Sequence, residues 1–266
     1  MPHQSIRVLI ADDHPFVRRI VVTVLADMAG AHLIEAEDGV KALFELGVVL
    51  THAFPTDGSL PPMDKMTVEP KTLSCVITDF NMPGVNGLQL LRMIRTGRTG
   101  VRRDLPVIML TGFNEDPLVA AALNLDVNGF VTKPVTKAIL AEKILDSLRC
   151  RLDLKTPEDY LAVAPPESLF DNKARAAAIQ AAGPAVEGGE PEAEADAPPE
   201  EEDDGTIRVK VDAVPEGAVL AENILSKKGT LMLAKGAKLS LPLIKRLREI
   251  ADIVGLSEIR VEVESA

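Results

Sequence analysis

Five side chains in this sequence have types and positions suited to moving a charged group. Asp12 and Asp13 follow the first apolar run of the chain, and Asp79 ends a later one. Thr111 and Lys133 each follow a further apolar run. Short apolar runs bounded by turn residues are typical of buried strands. Because α/β folds place ligands at the carboxyl ends of parallel strands, we expect these five side chains to converge at one sheet edge.

Three converging carboxylates need a counter-charge. At ~4 Å and an effective dielectric of about 20, each pair of carboxylates repels by about 4 kcal/mol. Oxygen ligands with retained waters suit Mg²⁺, which would relieve this repulsion. A hydroxyl and an ammonium beside the acids supply the donor and the positive charge that a phosphoryl group needs. Asp79 is therefore predicted to be a nucleophile that forms an acyl phosphate, with Mg²⁺ and Lys133 stabilising the developing charge.

The elements that would position these residues alternate between strand and helix, which predicts parallel βαβ units. The expected strands are residues 6–10, 32–36, 73–78, 105–110 and 129–132. The expected helices are residues 15–28, 39–50, 88–96, 116–125 and 136–152. In the last helix, one side is expected to carry the aliphatic residues Ile139, Leu140, Ile144, Leu145 and Leu148.

Two loops are expected at the opposite sheet edge, away from the acids. Residues 51–72 contain four prolines and little periodicity, so they are interpreted as a loop insertion without a direct catalytic role. Residues 95–103 form a basic loop, which is interpreted as solvated surface with docking as the alternative.

The acid and turn motifs together resemble the receiver domain of two-component response regulators over roughly residues 5–150. The matching motifs are Asp12-Asp13, Asp79 followed by Met82-Pro83-Gly84 and Gly87, Thr111-Gly112, and Lys133-Pro134. The resemblance implies a five-stranded, parallel, doubly wound (flavodoxin-like) α/β fold. It also implies that Asp79 is phosphorylated by a histidine kinase or a phosphotransfer protein, and that a downstream protein target reads the result.

The same resemblance implies roles for the other residues of the site. Asp13, Asp79 and the backbone carbonyl of Asn81 would hold Mg²⁺, with Asp12 acting largely through water. Thr111 would bond the phosphoryl group, Lys133 would pair with it, and the peptide bond before Pro134 would be cis, which is otherwise found in only about 5–6% of X–Pro bonds. Phe130 would be a switch aromatic that turns inward as Thr111 moves. His14, beside the acids, is instead interpreted as a surface residue at a helix start.

Composition limits the remaining possibilities. The net charge of −11 comes from residues 152–205, which hold 15 acidic and 3 basic side chains, so neither flank has the clustered cations that nucleic acid requires. No apolar run is long enough to span a membrane and no secretory leader is evident, so a cytoplasmic protein without a membrane partner is expected. The two cysteines are expected to be reduced and packed.

We predict three regions: a receiver at 5–152, an acidic disordered linker at 153–205 and a small α+β module at 206–266. Residues 184–204 hold ten acids and too little apolar surface to order, and residues 167–182 are compatible with a transient helix. The module resembles a region that accompanies HD-type phosphohydrolases, through glycines and aliphatic residues such as 217–224 and 229–233. Packing or homodimerisation is favoured for it over ligand binding.

The leading hypothesis is a phosphorylation-controlled switch that acts by protein contact and is not an enzyme in the ordinary sense. One alternative is a DNA-binding transcriptional regulator, which residues 206–266 disfavour because they predict a single helix. Another is a phosphohydrolase with an aspartyl nucleophile. That class needs a general acid two residues after the nucleophile, where this chain has Asn81.

Overall fold

The computed structural model describes residues 6–26, 30–55, 59–112, 116–163, 201–202 and 206–262. The chain divides into two compact units, Met1–Pro165 and Pro166–Ala266. The predicted transient helix at 167–182 and most of the acidic stretch at 184–204 lie outside the described residues. Among the residues that are described, no helix is both long and apolar enough to cross a membrane.

The first unit is built on a five-stranded parallel sheet. The described residues of this unit contain seven strands, five in this sheet and two in a separate pair. They are β1 (Ile6–Ala11), β2 (Ala31–Ala36), β3 (Val48–Leu50), β4 (Met66–Val68), β5 (Cys75–Asp79), β6 (Val107–Thr111) and β7 (Gly129–Thr132). The main sheet has the order β2-β1-β5-β6-β7, with every neighbouring pair parallel. This is the order of a doubly wound, flavodoxin-like sheet, so the predicted fold class is confirmed.

Helices cover both faces of this sheet. They are α1 (Pro15–Ala26), α2 (Gly39–Glu45), α3 (Gly87–Arg95), α4 (Asp116–Asn124), α5 (Lys137–Arg149) and α6 (Pro157–Ala162). Asp38 caps α2 by accepting a hydrogen bond from the Lys41 amide, and Asn86 and Gln89 form a capping box at α3. These caps fix the helix starts that follow β2 and β5.

The core is aliphatic, as the scarcity of aromatic residues predicts. Strands β5 and β6 are buried at every position because helices lie on both of their faces. One layer of this core joins α1 and α5 to the sheet through Val8, Ile10, Val21, Leu25, Cys75, Ile77, Ile108, Leu110, Val131, Leu140 and Ile144. The predicted apolar side of α5 is only partly right, because Ile139 and Leu145 are more than 40% exposed.

The region predicted as a loop insertion contains regular structure. Helix α2 ends at Glu45 and does not continue to residue 50, because Gly47 turns the chain at φ 83° into β3. Strand β4 pairs with β3 in an antiparallel ladder, after a 3₁₀ turn at Met63–Lys65. The Lys71 amide donates to the Gly100 carbonyl at 2.9 Å, so the insertion is attached to the basic loop before β6. Local pattern missed both strands because each has only three residues.

The predicted start of the linker at residue 153 is also too early. Helix α6 lies within that predicted linker, yet its Tyr160 is fully buried in the first unit. The packed structure of the first unit therefore continues to residue 163.

The second unit combines short strands with one described helix. Its elements are β8 (Glu201–Glu202), β9 (Thr206–Lys210), β10 (Ile224–Leu225), β11 (Leu231–Leu233), α7 (Leu241–Val254) and β12 (Glu258–Glu262). Strands β12, β9 and β8 form an antiparallel sheet, and β10 pairs with β11. Ile244, Leu247, Ile250 and Val254 are the buried stripe of α7. The predicted α+β character of this unit is confirmed.

Candidate functional site

The acid pair lies at the carboxyl end of β1. Asp12 is fully buried, and its Oδ1 accepts the His14 amide at 2.8 Å while its carbonyl accepts Arg18 Nη1 at 2.8 Å. Asp13 is turned further toward solvent, with a side chain 26% exposed. The tight turn before α1 thus holds one acid inside the site and one at its rim.

Asp79 ends β5, the strand next to β1 in the sheet, and its side chain is only 9% exposed. Lys133 Nζ lies 2.9 Å from Asp79 Oδ1 and 3.1 Å from Asp12 Oδ2. One ammonium group therefore bridges two buried carboxylates from different strands. The convergence predicted for Asp12, Asp79 and Lys133 is what the structure has.

Burial and charge oppose each other at this pair of side chains. Burial raises the pKa of the Asp79 carboxyl above its usual value, and the Lys133 charge and the hydrogen bonds from Lys133 and the Asn81 amide lower it by less. Burial acts to lower the pKa of the Lys133 ammonium, but the charges and hydrogen bonds of Asp79 and Asp12 outweigh this effect and raise it. Lys133 therefore stays protonated throughout the neutral range.

Thr111 and Pro134 complete the same edge. Thr111 ends β6, is fully buried, and donates its hydroxyl to the Gly112 carbonyl at 3.0 Å. Its own carbonyl accepts the Lys133 amide at 2.9 Å, which joins the ends of β6 and β7. The Lys133–Pro134 peptide bond is cis, as the resemblance implies.

The residue predicted as the switch aromatic is already inside the fold. Phe130 is 4% exposed and stacks on Phe80, with ring centroids 6.3 Å apart and planes at 27°. Phe80 directly follows Asp79, so the stack links the Asp79 strand to β7. Sequence reasoning missed Phe80. Its only signal was an aromatic residue beside the predicted nucleophile in a chain that has just seven phenylalanines.

His14, predicted as a surface residue at a helix start, is in contact with the acid pair. Its Nδ1 is 3.0 Å from Asp13 Oδ1 and 3.9 Å from Asp12 Oδ1. Potential ligand atoms of these three residues all lie within 4.8 Å of one another. The His14 side chain is nevertheless 70% exposed, so it forms the outer wall of the acidic group.

Position 87 needs glycine for a steric reason that the turn pattern did not reveal. A Cβ placed on it would lie 2.1 Å from the Asp79 carbonyl oxygen, well inside van der Waals contact. Gly84 differs, because its φ is 75° and a Cβ there would meet nothing within 4 Å. Gly84 therefore serves the turn, whereas Gly87 allows α3 to start directly against the strand that carries Asp79.

Sequence comparison decides the family of this chain. The sequence model described as the response regulator receiver domain matches residues 8–145, just over half of the chain and wholly within the first unit. The chain belongs to this family. It is therefore a response regulator of a phosphorelay, and the comparisons favour neither the DNA-binding nor the phosphohydrolase alternative.

Chemotaxis proteins are among the curated relatives of this response regulator. CheY-3 of Vibrio cholerae is 33% identical over 142 residues, which are 53% of this chain and 91% of the relative. CheY of Pseudomonas aeruginosa is 33% identical over 138 residues, 52% of this chain and 92% of the relative. A solved receiver domain protein from Clostridium thermocellum is 20% identical, covers 54% of this chain and 94% of its own, and superposes with a TM-score of 0.39.

Proposed function

We propose that Asp79 accepts a phosphoryl group from a histidine kinase or a phosphotransfer protein and thereby switches the protein contacts of this response regulator. The observation that carries this assignment is the Lys133 ammonium, which bridges Asp79 and Asp12 at 2.9 and 3.1 Å. Asp79 is the carboxylate that ends the central strand and that Lys133 contacts most closely. Asp13, at the rim, is less protected from water.

The transfer forms one bond to phosphorus and breaks another. An Asp79 carboxylate oxygen attacks the phosphorus of the partner's phosphohistidine, the P–N bond breaks, and its electron pair stays on the imidazole nitrogen. The product is an acyl phosphate on Asp79. Lys133 lies beside Asp79 and would donate to the equatorial oxygens, over which the charge of the transition state is spread; the Thr111 hydroxyl would donate to them after it turns away from Gly112.

The donor set of this site fits Mg²⁺. Lys133 contacts two of the three carboxylates, Asp79 and Asp12, while Asp13 lies at the rim beside His14, so the site retains negative charge and offers the oxygen ligands that Mg²⁺ prefers. Asp12, Asp13, Asp79 and the backbone carbonyl of Asn81 would hold the ion, with Asp12 acting largely through water. When bound, the ion would neutralise the acids and orient the incoming phosphoryl group.

Thr111 and Phe130 are the proposed switch residues. The Thr111 hydroxyl donates to the Gly112 carbonyl, so it has to rotate before it can donate to a phosphoryl oxygen on Asp79. The loop that begins at Gly112 then loses one of its hydrogen bonds. Phe130 is included because its ring stacks on Phe80, the neighbour of Asp79.

The second unit is proposed to be an output or assembly module. The sequence of residues 206–266 supports this proposal through its resemblance to the region that accompanies HD-type phosphohydrolases, and the role that we propose for it is packing or homodimerisation. A downstream protein target completes the proposed set of partners. Residues 164–205 are proposed to connect the units. They are what remains of the predicted linker at 153–205 once residues 153–163 are assigned to the receiver.

The test is a phosphorylation assay on the full chain with radiolabelled acetyl phosphate and Mg²⁺. Wild type is expected to gain an acid-stable, alkali-labile label, and Asp79→Ala is expected to gain none. Asp64→Ala removes an exposed carboxylate of the same unit and serves as the matched control, which should label like wild type. A label that persists in Asp79→Ala would refute the assignment.

A further inference from the structure

The residues after α5 form a packed element of the receiver. We call residues 151–163 the clasp. Its helix α6 has only six residues and opens with a capping box between Thr156 and Asp159. Because a helix this short is not stable by itself in water, contacts with the rest of the unit must hold it in place.

Tyr160 is the centre of those contacts. Its ring is fully buried, and its hydroxyl donates to Asp126 Oδ2 at 2.9 Å while accepting the Lys155 amide at 3.1 Å. The Arg103 guanidinium and the Lys155 ammonium each lie 5.8 Å from the ring centroid. The burial and the adjacent Asp126 charge raise the pKa of the Tyr160 hydroxyl to about 12.

Backbone acceptors fix the rest of the clasp. Arg103 Nη2 donates to the Lys155 carbonyl at 2.7 Å, and Arg92 donates to the carbonyl of Leu161. Lys155 Nζ in turn donates to the Asn124 carbonyl at 2.9 Å. The clasp therefore joins the ends of α3 and α4 to the chain that leaves the receiver.

Asp126 makes this joint specific. It has a φ of 52°, a left-handed conformation that residues other than glycine rarely adopt, two residues after the end of α4. Its carbonyl accepts Nη2 of the fully buried Arg95 at 2.9 Å, while its carboxylate accepts Tyr160. The clasp thus binds the carboxylate of Asp126, while the buried Arg95 binds its backbone carbonyl.

Helix α4 extends between the proposed phosphoacceptor edge and the clasp. It follows Thr111 and Gly112 at its amino end, and its carboxyl end supplies Asn124 and leads into Asp126. A helix of this kind moves largely as a rigid body, so a change at one end is felt at the other. The clasp contacts fit α4 where it now lies, with the Thr111 hydroxyl on Gly112.

We propose that the clasp is a latch whose docking is coupled to phosphorylation of Asp79 through α4. This inference rests on the proposed function. When Thr111 gives up Gly112 for a phosphoryl oxygen, a hydrogen bond at the carboxyl end of β6 is lost on the amino-terminal side of α4, and a displacement of α4 lengthens the contacts of Asn124 and Asp126 with the clasp. Phosphorylation therefore loosens residues 151–163 and changes how the following chain leaves the receiver.

The chain offers a selective reporter for this latch, because Tyr160 is its only tyrosine and it has no tryptophan. The full chain is measured with and without Mg²⁺ and beryllofluoride, a reversible phosphoryl analogue. The readouts are Tyr160 emission and amide hydrogen exchange of residues 151–163. Beryllofluoride is expected to change the emission and to speed the exchange by about fivefold or more, the lower end of ordinary allosteric coupling. Asp79→Ala should give neither response.

Reciprocity supplies the second arm. Tyr160→Phe keeps the ring but removes two hydrogen bonds, which is expected to raise clasp opening about tenfold. If opening and phosphorylation are coupled, this variant binds beryllofluoride more tightly in calorimetry, and the factor cannot exceed the one measured by exchange. Asp159→Asn weakens the cap of α6 and should act in the same direction, whereas Leu145→Ala, an exposed change on α5, should leave the affinity unchanged.

The outcomes separate the latch from the proposed function. If wild type takes up the acetyl phosphate label at Asp79 but residues 151–163 exchange equally fast in both states, the coupling is wrong and the phosphoacceptor assignment stands. If wild type takes up no label, the proposed function fails and the latch fails with it. Weaker beryllofluoride binding in folded Tyr160→Phe and Asp159→Asn than in wild type would also refute the coupling, because a state that opens the clasp has to be favoured by variants that open it.

Discussion

Lys133 gives the sharpest test of the electrostatics of this site. Replacing it by methionine keeps the length of the side chain but removes the charge that bridges Asp12 and Asp79. Breaking a buried ion pair by removing one partner costs about 3–5 kcal/mol. The Lys133 side chain is 27% exposed, so solvent screens part of its effect. We therefore expect the free energy of unfolding of the first unit to fall by about 2–4 kcal/mol at neutral pH.

The sign of the pH dependence follows from Asp79. A carboxyl whose folded pKa lies above its unfolded value binds more protons in the native state, so its unfavourable effect grows as pH rises through that window. The pKa of Asp79 is already raised above 3.8, and Lys133 is the group that lowers it most. Lys133→Met should therefore raise this pKa further, and the variant should regain stability relative to wild type as the pH falls below neutral.

The assay is urea unfolding of the full chain followed by Tyr160 emission, which reports on the first unit alone. Lys137→Met, at an exposed position at the start of α5, is the matched control and should unfold like wild type. Saturating Mg²⁺ should restore part of the lost stability, because a ligand that binds only the native state stabilises it by mass action. A Lys133→Met protein as stable as wild type at neutral pH would refute the bridging role.

Three further results are expected. Gly87→Ala should lower the free energy of unfolding by about 1–3 kcal/mol and slow labelling of Asp79, because its Cβ would lie 2.1 Å from the Asp79 carbonyl oxygen. Gly84→Ala should slow labelling less, and phosphorylation kinetics of the two variants will test the difference. His14→Ala should change Mg²⁺ affinity less than about threefold in calorimetry, since an imidazole 70% exposed adds little to an oxygen site. The Tyr160 hydroxyl should ionise with a raised pKa of about 12 in the native protein and near 10.0 in urea, as ultraviolet absorbance titrations will test. Its contribution to stability is therefore present below pH 10.0 and is lost as the pH rises from 10.0 to about 12; equal pKa values in the two states would contradict its burial.

The sequence predicted the convergence of the acids and Lys133 because each of these residues stands at the end of a short, largely apolar strand. Residues 75–79 and 107–111 are buried at every position, so their pattern is clear, and parallel strands then bring their ends together by topology alone. No knowledge of side-chain packing was needed to bring Asp79 beside Asp12. The stack of Phe80 on Phe130 required that knowledge, and the sequence did not reveal it.

The insertion and the clasp were missed for a different physical reason. The strands β3 and β4 have three residues each, and α6 has six, so none spans enough of a period to be recognised locally. Their stability comes from partners far away in the sequence. Tyr160 bonds a residue 34 positions earlier, and Arg92 donates to a carbonyl 69 positions later. Because residues 153–163 adjoin an acidic, proline-rich stretch, their composition favoured the prediction that they are disordered.

The two ends of α4 show why that error matters for function. A linker that began at residue 153 would leave the receiver free, and phosphorylation could act only through surfaces near Asp79. Tyr160 is instead held by Asp126 at the amino-terminal ends of β6 and β7, the sheet edge opposite Asp79. The latch proposed above would give a signal at Asp79 a route to that far edge through α4. In that proposal, the docking of residues 151–163 is itself part of the response.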